Sequence, residues 1–145
     1  MADVVSPAKR SRMMAGIKSK NTKPELVVRS ALHDRGLRFR LHRNDLPGKP
    51  DLYFPKFRSA VFVHGCFWHG HDCKYFKLPK TNSDFWLNKI KANQARDIRN
   101  VENLEKKGIR STIIWECETK SSTEIFKLRI DNVARWIQTN QKSVD

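Results

Sequence analysis

Ten residues near the middle of the chain, His64-Gly65-Cys66-Phe67-Trp68-His69-Gly70-His71-Asp72-Cys73, constrain the fold more than any other stretch. They hold three of the five histidines and two of the three cysteines, in a segment with neither helical nor strand period. A charged, glycine-containing loop cannot build a hydrophobic core, so something else must order it. Zinc favours four tetrahedral thiolate or imidazole ligands. Cys66, His71 and Cys73 offer three, and Cys117, just past a predicted strand, closes the set. Residues 74–116 then form one excursion pinned at both ends by the ion, which replaces the missing core. The competing reading is a set of buried free thiols and surface histidines, which predicts no metal and leaves the loop unsupported.

The charge balance points to the partner. Of 145 residues, 29 are Lys or Arg and 15 are Asp or Glu, a formal charge of +14. Residues 1–50 carry 12 basic and 4 acidic side chains, 51–100 carry 9 and 4, and 101–145 carry 8 and 7, so the excess lies in the first two-thirds. Self-repulsion of that size destabilises a compact chain, and a polyanion, ordinarily nucleic acid, is the simplest functional reason for it. A solvated surface tuned for solubility is the plainer alternative. Hydrophobic residues make up 39% of the chain, enough for the core of one domain and too many for a disordered basic tail. No apolar run approaches the ~18–20 residues of a membrane span, and no signal-peptide core stands at the start. The expectation is a soluble, cytoplasmic protein with reduced cysteines.

Read along its length, the chain is a mixed α/β single domain. Ser6-Pro7 opens a short basic helix reaching about Ile17. Thr22 and Glu25 stand at capping-box spacing around Pro24 and start a second helix that Gly36 stops. Leu37, Phe39 and Leu41 alternate with basic residues as in a half-buried strand. Asp51–Phe54 and Ser59–His64 read as two strands of a meander. Asn82 or Ser83 caps a long helix with Phe85, Trp86, Ile90, Ile98, Val101 and Leu104 on a broad stripe. Ile109–Glu116 is a buried strand, and Ser121–Thr123 open a last helix through Ile137.

The catalytic candidates surround the histidine-rich loop. Asp51 begins the strand neighbouring His64, and a meander brings its carboxylate toward that ring. Phosphodiester hydrolysis needs charge stabilisation at phosphate and an activated water, which a carboxylate-held Mg²⁺ provides. It also needs a proton donor, which His64 or His69 supplies near neutrality. Asp97, on the long helix, can orient one imidazole through its second nitrogen. Each has a plainer role: Asp51 as a turn residue, Asp97 as a surface charge. Glu25 is either a helix cap or a carboxylate reaching the metal. Phe67, Trp68 and Trp86 are core residues, or a wedge between base steps. Lys89 and Asn93, one helical turn apart, can read base edges or simply be solvated.

The combined motif Val63-His64-Gly65-Cys66-Phe67-Trp68-His69, preceded by Leu46-Pro47-Gly48-Lys49-Pro50-Asp51 and followed by His71, Cys73 and Trp115-Glu116-Cys117, resembles the very short patch repair (Vsr) DNA mismatch endonucleases. The similarity runs from about Ala8 to Trp136. It implies a restriction-endonuclease-like fold with a mixed central sheet flanked by helices and a zinc-ordered loop. A basic arm at 1–20 would contact DNA, a catalytic domain would span 21–140, and 141–145 would be a tail. The implied activity is Mg²⁺-dependent nicking of one strand 5′ to the thymine of a T:G mismatch left by deaminated 5-methylcytosine. The implied protein is a monomer working on double-stranded DNA beside mismatch-repair proteins.

Carried onto this chain, the resemblance assigns Mg²⁺ to Asp51 and the Val63 carbonyl, and catalysis to His64, His69 and Asp97; Glu25 joins the catalytic candidates on its place at a helix N-terminus alone. It gives structural Zn²⁺ to Cys66, His71, Cys73 and Cys117, and DNA contact to Phe67, Trp68, Trp86, Met14, Lys89 and Asn93. The chain departs from the family pattern at Val63, where a threonine is expected, and at Gly70, where a histidine is expected. Two rival functions remain: a zinc-ordered DNA-binding module without catalysis, and a related nuclease of different mismatch or structure specificity.

Overall fold

A computed structural model describes residues 21–139. Helix α1 (Lys23–Asp34) leads into strands β1 (Arg40–Leu41) and β2 (Leu52–Phe54), a 3₁₀ turn at Pro55–Phe57, and strand β3 (Ser59–His64). Helix α2 (Ser83–Lys106), strand β4 (Arg110–Trp115), the short helix α3 (Glu116–Thr119) and helix α4 (Thr123–Gln138) follow. The sheet runs β1-β2-β3-β4, antiparallel across the first two pairings and parallel at β3–β4. A parallel pair needs a long crossover, and the histidine-rich loop with α2 supplies it.

Strand side chains alternate between two helical layers. Leu52, Phe54, Val61 and Ile114 face α1 and α4 and pack with Val28, Leu32, Ile130, Val133 and Ile137. Tyr53, Ala60 and Phe62 face the opposite way, against Leu104 of α2. The sheet is therefore covered on both sides, as parallel pairing requires. This agrees with the expected mixed α/β single domain.

Local signals explain most boundaries. The Thr22 hydroxyl accepts the Glu25 N–H at 3.4 Å with Pro24 in the first turn, and the Ser122 hydroxyl caps α4 through the Ile125 N–H at 3.2 Å. Gly36 takes φ +81° just beyond α1, the left-handed stop its position predicts. Other boundaries differ. Leu37 is buried and Phe39 packs on the core, yet only Arg40 and Leu41 pair with β2. Asp51 precedes β2 rather than opening it, and Glu116 starts α3 rather than ending a strand. Asn82 is the residue before α2, but its side chain makes no capping hydrogen bond.

The stripe expected along α2 is only partly buried. Ile90 and Leu104 are buried, whereas Phe85 is 57% and Ile98 61% exposed. A helix of 24 residues rises roughly 36 Å, while a six-residue strand spans roughly 20 Å. Its N-terminal half therefore overhangs the sheet and lies against the loop that follows β3. The proposed helix from Ser6 to Ile17, and Met14 within it, lie outside the described residues, as do the arm at 1–20 and the tail at 141–145.

Candidate active site

The parallel β3–β4 pair sets the geometry. Its register ends with His64 opposite Trp115, and the chain just beyond the two strand ends brings Cys66 to Cys117 at the start of α3. The Cys117 N–H donates to the Cys66 sulfur at 3.3 Å, and Cys117 Sγ lies 3.5 Å from His71 Nδ1. The ligand atoms of Cys66, His71, Cys73 and Cys117 all lie within 4.8 Å of one another. Two strand ends and one loop thus bring together residues far apart in sequence. Burial pushes the Cys66 thiol up to about 12, so a cation is what would hold it as thiolate at neutral pH. Three sulfurs and an imidazole converging in this way form the donor set of a closed tetrahedral metal centre.

A cleft of about 540 Å³ opens beside this cluster, lined by His42, Lys49, Asp51, Val63, His64, His69, Asp97 and Asn100 among others. Asp51, fixed by the buried Pro50 on one side and β2 on the other, accepts the Val63 N–H on its Oδ2 at 2.7 Å. Burial pushes its carboxyl up to about 7 against that hydrogen bond, and neighbouring Glu25 raises it further. A carboxylate in this position is costly to ionise until a positive charge meets it. Glu25, His42 and Asp51 form a second group whose ligand atoms lie within 4.8 Å of one another, among the described residues.

The two candidate imidazoles are stacked. The rings of His64 and His69 lie 3.7 Å apart and 6° from parallel. His69 Nδ1 is 2.6 Å from the Asp97 carboxylate; an ionised carboxylate only accepts, so Nδ1 carries a proton. Burial lowers His64 to about 3, and the adjacent His69 ring acts in the same direction. His64 is accordingly neutral. His64 Nδ1 is buried without a hydrogen-bond partner among the described residues.

Helix α2 grips the loop through residues at helical spacing. Asn93 Nδ2 donates to the Trp68 carbonyl at 2.8 Å, Gln94 Nε2 to the His69 carbonyl at 3.2 Å, and Asp97 holds the His69 ring. Phe67, Trp68 and Trp86 form a half-buried aromatic cluster with ring centroids 5.2–5.7 Å apart, edge to face. The Lys89 ammonium sits 5.7 Å from the Trp68 ring centre. The residues singled out on this helix therefore touch the aromatic cluster and the histidine-rich loop together. His42 and Asn100 are cleft residues that sequence reasoning passed over; the alternation of 37–41 placed His42 on the polar side of a strand that in fact ends at Leu41. Only its position between that strand and the Pro-Asp loop could have drawn attention to it.

A covered mixed sheet with carboxylates and imidazoles gathered at one end of its parallel strands, in a chain of charge +14, has the form of a nuclease. Comparison with known proteins narrows this. The family model for DNA mismatch endonuclease Vsr matches residues 2–75. A type II nicking enzyme of Xanthomonas oryzae pv. oryzae, V.XorIIP, is 50% identical over 92% of this chain and 97% of its own length. V.NmeAIP of Neisseria meningitidis serogroup A is 44% identical over 95% and 98%, and the DNA mismatch endonuclease Vsr of Escherichia coli is 42% identical over 94% and 88%. The chain belongs to the Vsr DNA mismatch endonuclease family.

Proposed function

We propose that this protein nicks one strand of duplex DNA 5′ to the thymine of a T:G mismatch, using Mg²⁺ at Asp51, and so begins very short patch repair. The observation that carries the reading is the meeting of Asp51 and the Asp97-oriented His69 in one cleft of a strongly basic chain. Family membership supplies the mismatch. A restriction-endonuclease-like fold is consistent with the mixed sheet whose site lies at the end of β3.

The donors suit the ion. Hard Mg²⁺ prefers carboxylate and carbonyl oxygen, and Asp51 offers the first. The N–H and C=O of one strand residue point to the same side, and the Val63 N–H points to Asp51, so the carbonyl faces that side too. Since the backbone supplies this ligand, valine in place of threonine leaves it intact. When bound, the cation supplies Lewis-acid stabilisation of charge at the attacked phosphate. The rest of the chemistry belongs to the chain. His69 Nε2 exchanges the proton, Asp97 fixes its ring and stabilises its charged form, and neutral His64 buttresses it by stacking and adds polarity beside the phosphate. Glu25 joins Asp51 in facing the cation.

The four-ligand cluster suits Zn²⁺ in a purely structural role, since all four donors come from protein and none is left for substrate. Phe67, Trp68 and Trp86 serve as the wedge, with Lys89 and Asn93 beside them. Unstacking costs a few kcal/mol per step, less where pairing is already defective, which favours a mismatch. The test is cleavage of matched T:A and mismatched T:G duplexes with and without Mg²⁺. Mismatch-dependent single-strand nicking is expected, abolished in Asp51→Asn while DNA affinity stays within about threefold of wild type. Binding without cleavage would support the DNA-binding module, and cleavage indifferent to the mismatch would support a nuclease of other specificity.

A further inference from the structure

Glu25 is only 1% exposed, and a carboxylate buried to that extent must be fully provided with donors. Its Oε1 accepts the Asn21 N–H at 3.1 Å, and its Oε2 accepts from Arg29 Nη1 at 3.2 Å and from His42 Nε2 at 2.7 Å. The first two donors are local to the start of α1. The third comes from across the sheet edge and is the shortest. His42 itself is held in a left-handed backbone, φ +48°, immediately after β1, and its N–H donates to the Asp51 carbonyl at 3.2 Å. One residue therefore grasps both acids: the Asp51 main chain through its amide, the Glu25 side chain through its ring. That ring also lines the cleft holding Asp51, His64 and His69.

We propose that His42 is a positioning residue of the active site, holding the Glu25 carboxylate against Asp51 so that the two acids face the catalytic cation as a pair. The inference rests on the function proposed above. Without a donor on that side, two carboxylates with ligand oxygens within 4.8 Å repel and rotate apart. With it, Oε2 is pinned by one donor from α1 and one from the β1 end. The requirement is for a hydrogen-bond donor at a particular reach, and a glutamine provides one: its Nε2 stands as many bonds from Cα as the histidine Nε2 does.

The experiment compares His42→Gln and His42→Ala with wild type, measuring nicking of a T:G duplex across a Mg²⁺ titration. DNA affinity without the metal and thermal midpoint are measured alongside. His42→Ala should lower kcat about 10–100-fold, as loss of a partner behind a metal ligand does, and raise the Mg²⁺ concentration for half-maximal rate. DNA affinity should be unchanged. His42→Gln should recover most of the rate and the Mg²⁺ dependence. Equal loss in both variants, or a loss in His42→Ala that follows thermal stability and leaves the Mg²⁺ dependence unmoved, would overturn the positioning role. So would wild-type kinetics in His42→Ala. A wild-type protein that fails to nick the T:G duplex would sink the functional reading itself, and this inference with it.

Discussion

At the scale of single residues, the acids of the site differ in how they are held. Asp97 is half-buried at the surface of α2 and its carboxylate has one task, to engage His69 Nδ1 at 2.6 Å. Replacing it with asparagine preserves the shape and removes the charge that stabilises a protonated ring. Asp97→Asn is therefore expected to lower kcat about 10–100-fold with little change in DNA affinity, measured by single-turnover nicking and by binding without Mg²⁺. Glu25 was legible in the sequence as two things, a cap and a catalytic acid, and the structure shows why they were hard to separate. Its amide is capped by Thr22, while its carboxylate reaches back to Asn21 and across to His42. The cap signature is local and readable. The partner across the sheet edge depends on a two-residue strand and a left-handed turn, and neither leaves a mark in hydrophobic periodicity.

At the scale of elements, α2 does more positioning than packing. Among its residues only Ile90 and Leu104 are buried. Leu104, fully buried against Tyr53, Ala60 and Phe62, anchors its C-terminal end. Leu104→Ala is expected to cost about 2–5 kcal/mol in denaturant unfolding. Nicking at temperatures well below the transition should persist, since Asn93, Gln94 and Asp97 lie two or more turns away. The helix itself was easy to find, having a 3.6-residue period. Its environment was not, because periodicity reports that a face is apolar and does not say whether sheet, loop or a bound partner covers it. The aromatic cluster at its N-terminal end is the clearest case: Trp86 read as readily as a core residue as a wedge, Phe67 more as a wedge, and the two form a half-buried cluster.

At the scale of the whole molecule, charge and metal act on everything at once. Association with DNA is expected to weaken steeply as salt rises, because each phosphate neutralised by Lys or Arg releases counterions; the slope of log Kd against log salt is the measurement. Cys117→Ser should release close to one equivalent of zinc and lower the thermal midpoint, as read by metal analysis and melting. A strong chelator acting on the wild type should reproduce the same drop. That Cys66, His71, Cys73 and Cys117 gather was readable because cysteines and histidines are few and clustered, whereas the contact of Cys66 with Cys117 depends on β3 and β4 ending side by side, which no local pattern announces.

That pairing has one more consequence. A slip of β3 against β4 by a single step would part Cys66 from Cys117 and carry His64 away from Trp115 in the same motion, so the sulfur cluster and the imidazole pair hang from one ribbon. Grafting this arrangement onto another scaffold therefore requires moving both strand ends as a block; the decapeptide by itself would arrive without Cys117 and Trp115.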